Sequence, residues 1–168
     1  MNFLSERNLE MHKEYLNNLM LKYAIFEKSY PALRDADVKA IPKLKIKESE
    51  KREAIALLSE ILAHKLYFSS FGKPNSKNEE IRKGFGSEAG LLYSLFCEIN
   101  KYDGGMLFLY RDGKNLSYTV TRDYSSIFLS RSPLLALDIC EHAYFYDYGF
   151  DRRSYVLNSL SHLDLTRI

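Results

Sequence analysis

The chain has 168 residues, of which 46% are hydrophobic, a length that suits one sizeable core or two small layers. It contains no apolar run near the ~20 residues that cross a bilayer, and its N-terminus lacks a basic region followed by an apolar segment. Two cysteines do not make a disulfide framework. We therefore expect a cytoplasmic protein without a membrane partner.

The charges are nearly balanced, with 24 basic and 22 acidic residues, so any electrostatic attraction must be local. The clearest basic tract is residues 43–52, between two predicted helices. Most such tracts are solvated helix faces, and we expect no nucleic-acid partner. A basic rim near a site would instead attract a small anion.

The first half of the chain predicts a helical hairpin. Apolar residues recur at helical spacing over residues 5 to about 30 and again over about 50 to 70. Tyr30-Pro31 and Ile41-Pro42 interrupt the pattern between them, which favours an antiparallel arrangement. Residues 1–72 are therefore predicted to form an α-helical hairpin domain, and residues 73–78 have the composition of a linker.

The second half, residues 79–168, predicts an α/β domain. After a helical region over 79–102, strand-like runs over 106–111 and 116–122 flank a good hairpin turn at Asp112-Gly113-Lys114-Asn115. A third strand over 133–138 and a closing helix over 152–165 complete the pattern. The predicted class is α+β, with a short three-stranded antiparallel sheet.

The segment Asp138-Ile139-Cys140-Glu141-His142-Ala143-Tyr144 carries the most distinctive chemistry, because it follows an apolar run. A carboxylate and an imidazole leaving a buried segment carry a desolvation cost that a bound cation would offset. The alternative is a hydrogen-bonded strand end with a satisfied histidine. These residues alone leave both interpretations open.

Two more histidines favour the metal interpretation. His12 lies on a predicted helix that starts at Ser5, on the same apolar stripe as Leu16. His64 lies among the apolar residues of the next predicted helix. Three of the four histidines thus adjoin apolar faces, whereas His162 is peripheral.

Four motifs together resemble the iron/manganese superoxide dismutase family, of which the chain looks like a shortened and divergent member. Residues 138–144 are similar to the family signature Asp-x-Trp-Glu-His-Ala-Tyr, and residues 5–12 to its Ser-x-x-Thr-Leu-Glu-x-His. Residues 64–68 resemble the His-x-x-Tyr-Trp element, and Phe85-Gly86-Ser87 matches the Phe-Gly-Ser of the second domain. The resemblance spans nearly the whole chain.

The resemblance implies superoxide as substrate and one iron or manganese ion per chain, with an open coordination position. The implied protein ligands are His12, His64, Asp138 and His142. This donor set suits borderline first-row metals, whereas a structural zinc site would more typically use thiolates. In an alternative alignment Arg7 takes the first ligand position, and the site then has three protein ligands.

The resemblance also implies roles around the metal. Glu141 corresponds to the residue that reaches the ligand histidine of a partner subunit, which implies a homodimer. Tyr144, the last residue of the signature, is expected to have a catalytic role near the metal. Glu60, four residues before His64, replaces the family's iron-type glutamine and becomes the residue expected to control turnover.

Several departures from the family put its full activity in doubt. The chain has no tryptophan, and Leu16, Met20 and Phe145 stand where the family has hydrogen-bonding groups. Tyr15 could approach the site from a neighbouring turn, although half-buried packing is the commoner role of a tyrosine. We therefore expect weak or altered dismutase activity. The alternatives are a zinc-type hydrolase with the same ligands and a non-catalytic interaction protein.

Overall fold

A computed structural model describes residues 3–72 and 78–168 of the chain. Its first half consists of two long helices, α1 (Glu6–Ser29) and α2 (Glu48–Ser69). Helix α1 begins where the sequence predicted, because the side chain of Ser5 accepts a hydrogen bond from the backbone N–H of Asn8. Between the helices lie two short 3₁₀ turns, Pro31–Leu33 and Ile41–Lys43.

The two helices are antiparallel, as predicted. Near the start of α1 the His12 ring lies 4.9 Å from the ring of Phe68 at the end of α2. At the opposite end the Tyr30 hydroxyl donates to Glu50 at 3.2 Å. Buried apolar residues of both helices and the connecting loop, among them Leu33 and Ile41, form a core of their own.

The second half is an antiparallel sheet with helices around it. Its elements are α3 (Glu79–Phe85), α4 (Glu88–Ile99), β1 (Met106–Asp112), β2 (Asn115–Thr121), α5 (Tyr124–Ser130), β3 (Pro133–Asp138), α6 (Phe145–Tyr148) and α7 (Arg152–Ser161). The strand order is β2-β1-β3, and Leu107 of the central strand pairs with Val120 and Leu137. The α+β class and the three-stranded antiparallel sheet are confirmed.

Two features of this half differ from the sequence expectation. Helix α5, between β2 and β3, was not predicted; Asp123 caps it by accepting a hydrogen bond from the backbone N–H of Ser126. The closing helix α7 ends at Ser161 rather than at 165, and a 3₁₀ turn, Leu165–Arg167, follows. The physical reason for the early end is a bridge between Phe71 and Leu163, which takes the backbone out of the helix.

The halves share a second, larger core, which sets the position of the site. Ala63 and Tyr67 of α2 pack in one buried cluster with the strands. The Ser70 hydroxyl, just after α2, accepts a hydrogen bond from the backbone N–H of Ala136 in β3 at 2.8 Å. The end of β3, at Asp138, therefore lies against the helical hairpin.

Two further expectations from the sequence concern the linker between the halves and the absence of a membrane span. Most of the proposed linker, residues 73–77, lies outside the described residues, and the domain boundaries at 72 and 79 stay predictions. Within residues 3–72 and 78–168, no helix combines the length and apolar character needed to cross a membrane.

Candidate metal centre

Four side chains from four separate segments converge at the junction of the hairpin and the sheet. They are His12 on α1, His64 on α2, Asp138 at the end of β3, and His142 in the 3₁₀ turn Glu141–Ala143. One candidate ligand atom from each lies within 4.8 Å of every other. We call these four residues the His3Asp cluster. Arg7 is outside it, on the surface, 3.6 Å from Glu10.

The Asp138 carboxylate is the centre of the cluster. Its Oδ2 lies 2.8 Å from Nε2 of His142, 3.3 Å from Nε2 of His12 and 3.4 Å from Nε2 of His64. Its Oδ1 accepts a hydrogen bond from the backbone N–H of Cys140 at 2.9 Å. Burial alone would raise the pKa of Asp138, but the three imidazoles hold that pKa well below its usual range.

The hydrogen bonding of His64 fixes which of its nitrogens faces the cluster. Its Nδ1 lies 2.8 Å from the backbone carbonyl of Glu60, which can only accept, so Nδ1 carries the proton. The Nε2 lone pair is then free to point at the cluster. Burial lowers the pKa of His64, but the hydrogen bonds and negative charges of Asp138 and Glu60 together outweigh burial, and the net shift of the pKa is upward.

His12 has a different environment. Its side chain is fully buried, and although Nε2 lies 3.3 Å from Asp138, neither ring nitrogen has a hydrogen-bond partner among the described residues. Burial, helped by the charges of His142 and His64, lowers the pKa of His12 although Asp138 acts to raise it. A buried polar atom without a partner costs about 1–3 kcal/mol, so a ligand at Nε2 would remove a real penalty.

Two properties of the His3Asp cluster suit a metal ion: the types of its ligand atoms, and close or unpartnered nitrogen atoms that a cation would stabilise. Three imidazole nitrogens and one carboxylate oxygen suit iron, manganese or zinc. The Nε2 atoms of His64 and His142 are 3.4 Å apart, a separation at which two lone pairs repel unless a proton or a cation lies between them. The unpartnered Nε2 of His12 points to the same conclusion.

A surface cleft of about 550 Å³ connects the cluster to solvent on the His142 side. The His142 side chain is 35% exposed, whereas those of His12 and Asp138 are 0% exposed. The cleft is lined by Tyr15, Ala56, Glu60, Arg122, Asp123, Tyr124, Ser125, Cys140, Glu141 and His142. This lining contains three carboxylate side chains and one arginine, and no residue of the basic tract 43–52 contributes to it.

The remaining predicted residues take distinct places. Glu60 lines the cleft, as does Glu141. Tyr144 is buried and is not among the cleft residues; its ring stacks on Tyr155 at 4.7 Å. The Tyr155 hydroxyl donates to the backbone carbonyl of Asp138 at 2.7 Å. Tyr144 thus lies behind the cluster, and the catalytic roles of Glu60 and Tyr144 stay predictions.

Tyr15 is the residue that sequence reasoning undervalued. Its ring lies 4.7 Å from the His142 ring at an angle of 22°, and its hydroxyl donates to Glu60 at 2.5 Å. The available signal was its spacing: Tyr15 follows His12 by three residues, and residues three apart are neighbours on a helix surface. That spacing does not show which side of the helix faces an opening.

Comparisons with known proteins agree with this geometry. Residues 74–168 match the family model described as iron/manganese superoxide dismutases, C-terminal domain. This match covers more than half of the chain, and the chain therefore belongs to the iron/manganese superoxide dismutase family. The family uses iron or manganese, and the His3Asp cluster could hold one such ion.

Individual relatives are similar at low identity. The iron superoxide dismutase of Cupriavidus metallidurans is 29% identical over 133 residues, which cover 74% of this chain and 66% of the relative. The chloroplastic iron superoxide dismutase 2 of Oryza sativa subsp. japonica is 33% identical over 51% of this chain and 35% of the relative. The manganese/iron superoxide dismutase of Rickettsia typhi is 27% identical over 90% of this chain and 74% of the relative. The chain thus spans just under two thirds of the first relative and about a third of the second.

Proposed function

We propose that the chain binds one iron or manganese ion and disproportionates superoxide to oxygen and hydrogen peroxide. The proposed ligands are the four residues of the His3Asp cluster. The observation that carries the proposal is the convergence of three imidazole Nε2 atoms on one buried carboxylate oxygen, beside a cleft that opens to solvent.

A metal held by these four residues would supply one-electron redox chemistry, between a trivalent and a divalent state. Asp138 offsets part of the positive charge that the buried site would otherwise carry. The carbonyl of Glu60 keeps the proton of His64 on Nδ1, so the lone pair of Nε2 remains available to bind the metal.

Substrate and protons would enter through the cleft. Two superoxide ions and two protons give one oxygen and one hydrogen peroxide, so each cycle needs protons from solvent. The Tyr15 hydroxyl and the Glu60 carboxylate are hydrogen-bonded polar groups in the cleft wall and can pass protons inward. Leu16 and Met20 cannot do so, which supports the expectation of weaker activity.

A homodimer is part of the proposal, supported by an exposed apolar patch beside Glu141. Phe145 is 48% exposed, Tyr146 59% and Phe150 96%. Contiguous exposed apolar residues of this kind mark interaction surfaces. Phe145 and Tyr146 of this patch line a depression of about 320 Å³, and Glu141 and His142 line the same depression.

A cytoplasmic location stays a prediction from the sequence.

Stopped-flow measurement of superoxide decay tests the proposal. The protein loaded with one equivalent of iron or manganese should remove superoxide faster than the same amount of free metal. Glu60→Gln should change the rate, because an amide can donate a hydrogen bond where a carboxylate only accepts. If both metals leave the decay at the free-metal rate and Glu60→Gln is also inert, the dismutase proposal fails. Zinc-dependent ester hydrolysis by the same protein would then favour the hydrolase alternative.

A further inference from the structure

His142 is the member of the His3Asp cluster with the weakest support from the rest of the fold. Its side chain is 35% exposed, and it lies in a single 3₁₀ turn rather than in a long helix. Its Nε2 faces Asp138, but no described residue forms a hydrogen bond with its Nδ1. The contact with Asp138 at 2.8 Å holds only the Nε2 corner of this ring, so a further contact is needed to fix the plane of the imidazole.

The ring of Tyr15 supplies that support. The Tyr15 and His142 rings are 4.7 Å apart and inclined by 22°, an offset-stacked geometry. The same tyrosine ring lies 5.2 Å from the ring of His64. Tyr15 thus covers the cleft side of both imidazoles, and rotation of His142 toward solvent would break the stack.

Glu60 in turn holds Tyr15. Its carboxylate accepts a hydrogen bond from the Tyr15 hydroxyl at 2.5 Å, while its backbone carbonyl accepts from Nδ1 of His64 at 2.8 Å. One residue of α2 therefore sets the tautomer of His64 directly and limits the movement of His142 through the Tyr15 ring.

We propose that Tyr15 is a positioning residue for His142, holding the imidazole in its metal-binding orientation by ring stacking within a single chain, with Glu60 fixing the ring. This inference rests on the proposed metal site. It assigns the orientation of the exposed ligand to a group of the same chain, so it holds whether or not the protein dimerises.

The test uses Mn²⁺ affinity and the visible spectrum of the Co²⁺-loaded protein, neither of which requires dismutase activity. Tyr15→Leu removes the ring and should weaken Mn²⁺ binding about three- to tenfold, the size expected for one aromatic stack. It should also change the Co²⁺ absorption bands, because the ligand geometry is disturbed. Tyr15→Phe keeps the ring but loses the hydrogen bond to Glu60, and it should restore most of the affinity and of the spectrum.

The chain offers a matched control in Tyr30, which donates to Glu50 across the same two helices at 3.2 Å but belongs to the other end of the hairpin. Tyr30→Leu should leave Mn²⁺ affinity and the Co²⁺ spectrum unchanged. Tyr15→Gln, which is polar and has no ring, replaces Tyr15→Leu if the leucine variant does not fold, and it should behave in the same way.

Each outcome separates this inference from the proposed function. If the wild-type protein binds no Mn²⁺, the metal site itself is wrong. If the wild type binds Mn²⁺ and Tyr15→Leu or Tyr15→Gln binds it equally with an unchanged Co²⁺ spectrum, the inference fails and the metal site stands. A Tyr15→Phe variant as weak as Tyr15→Leu, or equal weakening in Tyr30→Leu, would also overturn positioning by the ring.

Discussion

Replacing Asp138 should have two separable effects, one on the fold and one on the metal. In the metal-free protein its buried carboxylate contacts three imidazoles and accepts the backbone N–H of Cys140. Removing one partner of a buried ion pair typically costs about 3–5 kcal/mol. For a chain of this size each kcal/mol lowers Tm by about 2–4 °C, so Asp138→Ala should melt about 6–20 °C below the metal-free wild type.

The second effect is the loss of metal-dependent stabilisation. A ligand that binds only the folded state at about 100 times its Kd adds about 2.7 kcal/mol, which corresponds to about 5–11 °C in Tm for the wild type. Asp138→Ala should show no such rise. Asp138→Asn keeps an acceptor for the backbone N–H of Cys140 and should fold better, yet it should also lose the metal-dependent rise.

Calorimetry with and without a chelator measures both effects. If metal-free Asp138→Ala melts at the wild-type temperature, the carboxylate does not stabilise the metal-free fold. If either variant keeps the rise on adding Mn²⁺, the carboxylate does not belong to the ligand set.

Further substitutions address the first ligand, the cleft charge and the cleft thiol. His12→Ala should lower the Mn²⁺ stoichiometry below one per chain and Arg7→Ala should not; the reverse result would favour the alternative alignment. Asp123→Asn removes a negative charge at the cleft, and at a distance of about 10 Å in water this is about 0.4 kcal/mol, so kcat/KM for superoxide should rise about twofold at low salt; a fall would contradict the assigned cleft electrostatics. Burial raises the pKa of Cys140 to about 11 in the metal-free protein, so only about one thiol in a thousand is ionised at pH 8. Exposed Cys97 should therefore react first with a disulfide reagent. The fast reaction should disappear in Cys97→Ser and remain in Cys140→Ser. Fast labelling of Cys140 at pH 8 would contradict the raised pKa. Because the pKa of Cys140 in the folded protein exceeds its ordinary value of 9.0, the contribution of this thiol to stability is complete below pH 9 and declines as the pH rises toward 11.

Local sequence signals accounted for most of the fold. Helices α1 and α2 follow from apolar periodicity over more than twenty residues each, and Ser5 marks the start of α1. The turn at 112–115 pairs β1 with β2 as expected. Helix α5 was missed because it has seven residues, including Tyr124, Ile127 and Phe128, which have strand-like propensities. In so short a segment a capping residue and tertiary packing decide the structure.

The sequence likewise indicated some residues of the site, whereas the position of others depends on tertiary packing. Asp138 and His142 are four residues apart, so their proximity could be inferred from the sequence. His12 and His64 were chosen because they lie on apolar faces and because the motifs resemble the family. The position of Tyr15 could not be inferred, because it depends on how α1 and α2 pack and on where the cleft opens. The same is true of the placement of Tyr144 behind the cluster rather than in the cleft.

Anomalous diffraction from crystals loaded with manganese or iron, recorded on both sides of the absorption edge of that metal, would locate the ion directly. We expect one anomalous peak per chain, within coordination distance of Nε2 of His12, His64 and His142 and of a carboxylate oxygen of Asp138. A peak elsewhere, or no peak at the His3Asp cluster in crystals that contain stoichiometric metal, would contradict the proposed ligand set.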